Sequence, residues 1–269
     1  MSQWAMLIDE TRCTGCRACQ VACKQWNDLP AEATRNRGTY QNPPALSAST
    51  WSLIEFHEVD AGGAAGFYFL KRACMHCEHP ACASVCPVGA MHKTPQGPVL
   101  YDDRKCIGCR YCMAACPFGV PAFEWEKGLL ETPVVRKCTF CFDRLGSGLH
   151  PACAKTCPSK AIAFGAREAL IEEGEARIRR NPNRYVDRLY GKQEAGGTSV
   201  LYLSAIPFER LGLPRIGPEP VAARAEKVME YTVPFAAAWG AALAGLALLF
   251  RFRDRAGQQA PAEEKEEPS

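Results

Sequence analysis

Read for hydrophobic and polar positions, the chain alternates short apolar runs with polar loops until its last quarter. "WSLIEFHEV" (51–59) and "GFYFLKR" (66–72) are rich in β-branched and aromatic residues, and the glycine-rich "DAGGAAG" between them predicts a β-hairpin. "TSVLYLSAI" (198–206) predicts a further strand, and "REALIEEGEARIRR" (167–180) a surface helix. "CPVGAM" (86–91) and again "CPSKAI" (157–162) each read as a helix turn closed by proline and then a short strand. The polar stretch that includes "NPP" (42–44) reads as loop.

The pattern changes at the C-terminus. From Tyr231 to Phe250, "YTVPFAAAWGAALAGLALLF" carries no charge, and its twenty residues suffice to span a bilayer core of about 30 Å. A buried helix of a soluble protein is the alternative. Ala237, Ala241 and Gly245 form a small-residue stripe that another helix can approach. Arg251, Arg253 and Arg255 follow the run closely, which by the positive-inside rule puts the C-terminus in the cytoplasm and the rest outside. "QQAPAEEKEEPS" is a polar tail expected to be disordered. The opening "MSQWAMLIDETRC" has no apolar leader, so export would require a partner that carries the signal.

Composition alters this picture through one residue type. The 269 residues, 47% hydrophobic and 23% charged, allow one or two domains with a buried core, yet sixteen are cysteine. The chain is too long for a minimal disulfide scaffold, so metal ligation is the better reading. The cysteines form four groups of four: Cys13, Cys16, Cys19, Cys23; Cys74, Cys77, Cys82, Cys86; Cys106, Cys109, Cys112, Cys116; and Cys138, Cys141, Cys153, Cys157. Groups one and three have the spacing C-x2-C-x2-C-x3-C. Groups two and four lengthen the middle interval, and every group ends in C-x3-C.

A tight C-x2-C-x2-C loop wraps three corners of an iron-sulfur cubane, and the fourth cysteine, entering a helix that points away, meets a neighbouring cluster. Groups then work in pairs. The economical architecture is α+β, with two ferredoxin-like modules of the bacterial 2x4Fe-4S type, a β-hairpin insertion and one C-terminal transmembrane helix. Zinc is the competing occupant, but three cysteines within seven residues crowd a single zinc ion. Four clusters at about −2 each would move the formal charge of +3 to roughly −5. Lys24, Lys71, Arg72, Lys105, Arg110, Lys137 and Lys155 lie beside the motifs and can offset that charge, although solvated surface side chains are the blander reading of each. His76 and His79 sit inside a group that already has four cysteines, so they are expected near the metal or on the surface and not as ligands. "GSGLHP" (146–151) lacks dinucleotide-loop spacing, and no like-charge run suggests nucleic acid. Electron storage and transfer is the chemistry in view, with no catalytic residue.

"CRACQVACKQWND", "NPPALSASTW", "CMHCEHPAC", "CIGCRYCMAACPFG", "KCTFCFDR" and "PACAKTCP", followed by one membrane helix, resemble the iron-sulfur (beta) subunit of membrane-bound respiratory formate dehydrogenases. The resemblance implies that group one pairs with group four. Cys13, Cys16 and Cys19 would share a 4Fe-4S cluster with Cys157, and Cys23 would join Cys138, Cys141 and Cys153. By the same crossed ligation, Cys74, Cys77 and Cys82 would pair with Cys116, and Cys86 with Cys106, Cys109 and Cys112. It implies a four-cluster domain at 1–165 with an insertion at 24–73, an extension at 166–230 packing on it, the membrane helix at 231–250 and the tail at 251–269. It further implies a molybdenum- or tungsten-pterin catalytic (alpha) subunit and a membrane cytochrome b (gamma) subunit as partners, with electrons passing from formate to quinone. An electron-transfer subunit of a hydrogenase or sulfur-compound reductase and a zinc-binding membrane scaffold are the alternatives.

Overall fold

Strand β1 (Trp4–Asp9) organises the cysteine-bearing part of the chain because both of its faces are buried. Ala5 and Leu7 face an apolar core with Leu170, Ile178, Leu201 and Leu203. Met6 and Ile8 face another, with Ile54, Leu70, Cys19 and Cys153. Side chains alternate along a strand, so burial on both sides makes "WAMLID" read as one continuous apolar run. The computed structural model describes residues 3–36, 38–60, 65–124 and 135–258.

After β1 come helix α1 (Ala18–Trp26), strands β2 (Leu53–Asp60) and β3 (Ala65–Arg72), helix α2 (Ala81–Ser84), strands β4 (Met91–Lys93) and β5 (Val99–Tyr101) and helix α3 (Tyr111–Ala115). Then follow the short strands β6 (Ala122–Phe123) and β7 (Val135–Arg136), helices α4 (Phe142–Gly146) and α5 (Ala152–Lys155), strand β8 (Ile162–Ala166), helix α6 (Arg167–Arg180) and strand β9 (Val200–Leu203). The main sheet has the order β8-β1-β9, antiparallel between β1 and β8 and parallel between β1 and β9. β2 pairs with β3 antiparallel from Leu53 opposite Arg72 to Asp60 opposite Ala65.

Two registers bring distant cysteine groups together. Ile8 lies opposite Ile162 in the β1–β8 pair, so Cys13, five residues beyond Ile8, and Cys157, five before Ile162, emerge at the same sheet end. Met91 lies opposite Tyr101 in the β4–β5 pair, and Cys86 and Cys106 stand the same five residues outside it. Helix packing repeats the arrangement, with α1 against α5 and α2 against α3. Groups one and four therefore share one module and groups two and three the other.

Helix α6 covers the far face of β1 through Leu170, Gly174 and Ile178, which recur every fourth residue. The helix lies so close that a Cβ at Gly174 would come within 2.9 Å of Leu189. Its last turn also carries Arg177, which reaches the fully buried Asp9 at the end of β1.

Residues from Ala223 form a separate unit. Helix α7 (Ala223–Gln258) contains a segment, Ala225–Arg253, long and apolar enough to cross a membrane. It is longer than the apolar run that predicts it, beginning at Ala223 where the run begins at Tyr231 and ending at Gln258 where the run ends at Phe250. Flanking residues such as Glu226, Lys227 and Arg251 are good helix formers, so backbone hydrogen bonding continues where apolar composition stops. The tail from residue 259 lies outside the described residues, as do residues 61–64 of the "DAGGAAG" connection.

Asp9 supplies a test of this packing. Its carboxylate accepts from the Tyr185 hydroxyl at 2.9 Å, the Arg177 guanidinium at 3.0 Å and the Thr11 hydroxyl at 2.7 Å. Arg12 Nε also lies 3.4 Å from this carboxylate, so loss of Arg177 weakens its pairing without leaving the charge alone. Arg177→Met is expected to destabilise the protein by about 2 kcal/mol, read as a lower midpoint in urea unfolding under argon. An unchanged midpoint would show that Asp9 does not depend on the pair.

Candidate functional site

Each cysteine group begins with the same backbone device. The residue immediately before its second cysteine is left-handed: Gly15 at φ 66°, His76 at 48°, Gly108 at 69° and Phe140 at 62°. In groups one and three, Arg17 and Arg110 are left-handed as well, and helices α1 and α3 start directly after them. Such alternation folds the loop into a concavity lined by backbone N–H groups, suited to negatively charged sulfur. Glycine adopts this conformation freely, whereas His76 and Phe140 carry a cost of roughly 1–2 kcal/mol each. Both are fully buried, and their rings meet edge to face at 4.8 Å, so packing holds them there.

The fold gathers the cysteines across the groups. Cys13, Cys16, Cys19 and Cys157 line one cavity, walled by Ile8, Ile54 and Ile162. Cys23, Cys138, Cys141 and Cys153 line a second, walled by Met6, Trp51 and Phe140. Cys86, Cys106, Cys109 and Cys112 line a third, walled by Met91, Tyr101 and Val135. The remaining four are mutual neighbours, since Cys77 is acted on electrostatically by Cys74, Cys116 and Cys82. Electrostatic action also links the quartets one to the next: Cys112 acts on Cys82, Cys74 on Cys138, and Cys153 on Cys19. Among the described residues, no three His, Cys, Asp or Glu side chains are arranged to hold a single metal ion.

Burial and mutual repulsion dominate the electrostatics. Burial first, then neighbouring cysteines, push the thiols of Cys19, Cys23 and Cys82 up to about 12 and those of Cys112 and Cys141 up to about 11. Four thiolates in such a space need a cationic core, and the four irons of a cubane provide one that reaches all of them. The donor set, the apolar walls and the N–H-lined loops fit an iron-sulfur cluster at each quartet. Bound there, a cluster supplies a one-electron carrier. The protein holds it through sulfur, excludes water with isoleucine, methionine and aromatic side chains, and balances its charge.

Of the seven basic residues beside the motifs, only Lys71 and Lys137 are buried, at 3% and 1% exposed. Lys137 donates to the carbonyls of Val99 and Cys138. Lys71 lines both the first and the second cavity. Burial works against its charge, yet Cys153, Cys19 and Cys138 outweigh burial and push its pKa upward. His79 is exposed, whereas His76 is wholly buried. His76 Nδ1 accepts from the Val99 N–H at 3.0 Å, which places its proton on Nε2, and that nitrogen has no partner. Burial, then Lys137, Lys93 and Lys71, hold the imidazole well below its usual pKa and therefore neutral. Its place in the sequence carries the signal: it occupies the position before the second cysteine, where groups one and three have glycine.

Reactivity of the metal-free thiols follows from exposure and charge. Iodoacetamide at pH 8 is expected to label the exposed Cys16 and Cys109 first and the buried Cys19 and Cys23 last, as read by peptide mass mapping. A thiol with a pKa near 12 is thiolate in only about one molecule in ten thousand at that pH, so its labelling should accelerate about tenfold for each unit of added pH. Uniform labelling of all sixteen cysteines would contradict the buried geometry.

Comparison with known proteins agrees with the geometry. Two families, each described as a 4Fe-4S dicluster domain, match residues 12–90 and 65–167. The nitrate-inducible formate dehydrogenase iron-sulfur subunit of Escherichia coli K12 is 41% identical over 202 residues, covering 74% of this chain and 67% of that protein. The hydrogenase-2 operon protein HybA of Escherichia coli O157:H7 is 35% identical over 277 residues, covering 91% of this chain and 83% of the relative. A Nitratidesulfovibrio vulgaris protein is 43% identical over 212 residues, and the chain spans only 56% of its length. With four complete cysteine quartets in two modules, the chain belongs to the 4Fe-4S dicluster family that includes the formate dehydrogenase iron-sulfur subunits, and its cofactors are four 4Fe-4S clusters.

Proposed function

We propose that this chain is the electron-transfer subunit of a membrane-bound respiratory formate dehydrogenase and has no catalytic site of its own. The row of four quartets carries this reading, because electron tunnelling falls steeply with distance and closely spaced carriers conduct where one cannot. Electrons would enter from a molybdenum- or tungsten-pterin catalytic subunit that oxidises formate and leave to a membrane cytochrome b subunit that reduces quinone. The 41% identity to a formate dehydrogenase iron-sulfur subunit supports that partner pair. The 35% identity to HybA, over 91% of this chain, favours a hydrogenase complex as the second reading, and identifying the large subunit that co-purifies decides between them.

The ligand sets are Cys13, Cys16, Cys19 and Cys157; Cys23, Cys138, Cys141 and Cys153; Cys74, Cys77, Cys82 and Cys116; Cys86, Cys106, Cys109 and Cys112, supported for three of them by a shared cavity and for the set of Cys74 by mutual electrostatic action. Residues 24–73, which include the β2–β3 pair, are an insertion in the first of the two ferredoxin-like modules, and residues 166–230 are an extension packed on the module core. The helix after residue 230 anchors the chain, with its C-terminus in the cytoplasm and the cluster domain on the outer face, the direction favoured by Arg251, Arg253 and Arg255.

Two measurements test this reading. The holoprotein should contain about sixteen irons, and Cys23→Ser should disturb the electron paramagnetic resonance signal that Cys141→Ser disturbs. If it disturbs the Cys13→Ser signal instead, the crossed ligation is wrong. Ending the chain at Glu230 should abolish formate-to-quinone electron transfer in membranes while dye-linked formate oxidation persists; undiminished quinone reduction by the truncated complex would overturn the relay.

A further inference from the structure

Lys71 stands apart from the other charged groups of the interior. It sits on β3 only three residues before Cys74, yet the cavities it lines are those of Cys13, Cys16, Cys19 and Cys157 and of Cys23, Cys138, Cys141 and Cys153. Strand pairing opposite Ile54 and the Tyr202 hydroxyl, which donates to the Lys71 carbonyl at 2.7 Å, fix its backbone. The groups that most favour its charge are thiols, not carboxylates: Cys153 and Cys138 from one quartet and Cys19 from the other. A buried ammonium without an acid beside it is strongly disfavoured unless other negative charge compensates. Two cluster sites, each bearing four thiolates, supply that charge from two sides. Lys137, equally buried, is satisfied by two backbone carbonyls and does not line these cavities.

We propose that Lys71 is a fixed positive charge placed between the cluster sites of groups one and four, where it raises the reduction potentials of both and makes that pair the electron-holding section of the relay. Each one-electron reduction adds negative charge to a cluster, the electron coming from the neighbouring cluster in turnover or from a mediator dye in a titration. An ammonium that lines both cavities in a water-poor interior stabilises the reduced form more than the oxidised form. In the other module Lys137 and Lys93 donate to backbone carbonyls and act on Cys82 and Cys77 of one quartet, and neither lines two of the cavities as Lys71 does.

The inference rests on the four-cluster reading, and the two fail separately. The experiment is a mediated redox titration of the holoprotein, with its co-purifying subunits, followed by electron paramagnetic resonance and iron analysis. Lys71→Met is expected to keep the wild-type iron content and to lower the potentials of two of the four clusters. The expected size is at least tenfold in the reduction equilibrium, about 59 mV for a one-electron couple. Lys71→Arg, which keeps the charge, should restore both. Unmoved potentials in Lys71→Met, or an equal shift in all four clusters, would overturn the role of Lys71 while leaving the cluster reading intact. Loss of iron from both Lys71→Met and Lys71→Gln would make it an assembly residue and overturn the proposal. Zinc in place of iron in the wild-type protein would overturn both readings.

Discussion

Sixteen thiols are gathered in groups of four, most of them partly or fully buried, and burial opposes the charge that metal ligation requires. Much of the cysteine-bearing unit answers that conflict. Apolar walls of isoleucine, methionine and phenylalanine keep water from the cavities, while left-handed turns direct backbone N–H groups toward the sulfur. The iron core supplies most of the positive charge. Lys71 and Lys137 add to it from within the protein, and His76 is kept neutral beside them. The same low dielectric that penalises an uncompensated thiolate strengthens each of these interactions.

Strand β1 couples the cysteine cavities to the rest of the sheet. One face carries Met6 and Ile8 toward the first two cavities, and the other carries Ala5 and Leu7 against helix α6 and strand β9. Its end is tied down at Asp9 by groups from the segment 177–185, far along the chain. Residues beyond the last cysteine therefore stabilise the loop that opens the first group.

Helix α7 obeys a different solvent rule. The membrane-length apolar window within it has a mean hydropathy of 1.9 and none of it is buried within the chain, so its apolar side chains face outward all round. In water such a helix is unfavourable, and in a bilayer it satisfies its own backbone hydrogen bonds. Among the described residues it is the one helix long and apolar enough to cross a membrane.

Local spacing determined a great deal by itself. C-x2-C-x2-C-x3-C names the cofactor because the reach of a short loop matches the corners of a cubane, and twenty uncharged residues name a span because helix rise is constant. The strands at 53–60, 65–72 and 200–203 and the helix at 167–180 fall where β-branched, aromatic and amphipathic patterns put them. What the spacing left undetermined is everything that depends on which distant segments meet. Ile8 opposite Ile162 and Met91 opposite Tyr101 decide which cysteines share a cavity, and register is a property of two strands together. Of the seven basic residues beside the motifs, five stay at the surface or only partly covered, and the structure alone selects Lys71 and Lys137 for the interior. Lys71 shows the reason most directly. Its neighbours in sequence belong to group two, but strand β3 delivers its side chain between groups one and four, because the path of a strand through a packed core is set by the whole core and not by the residues next to it in the chain.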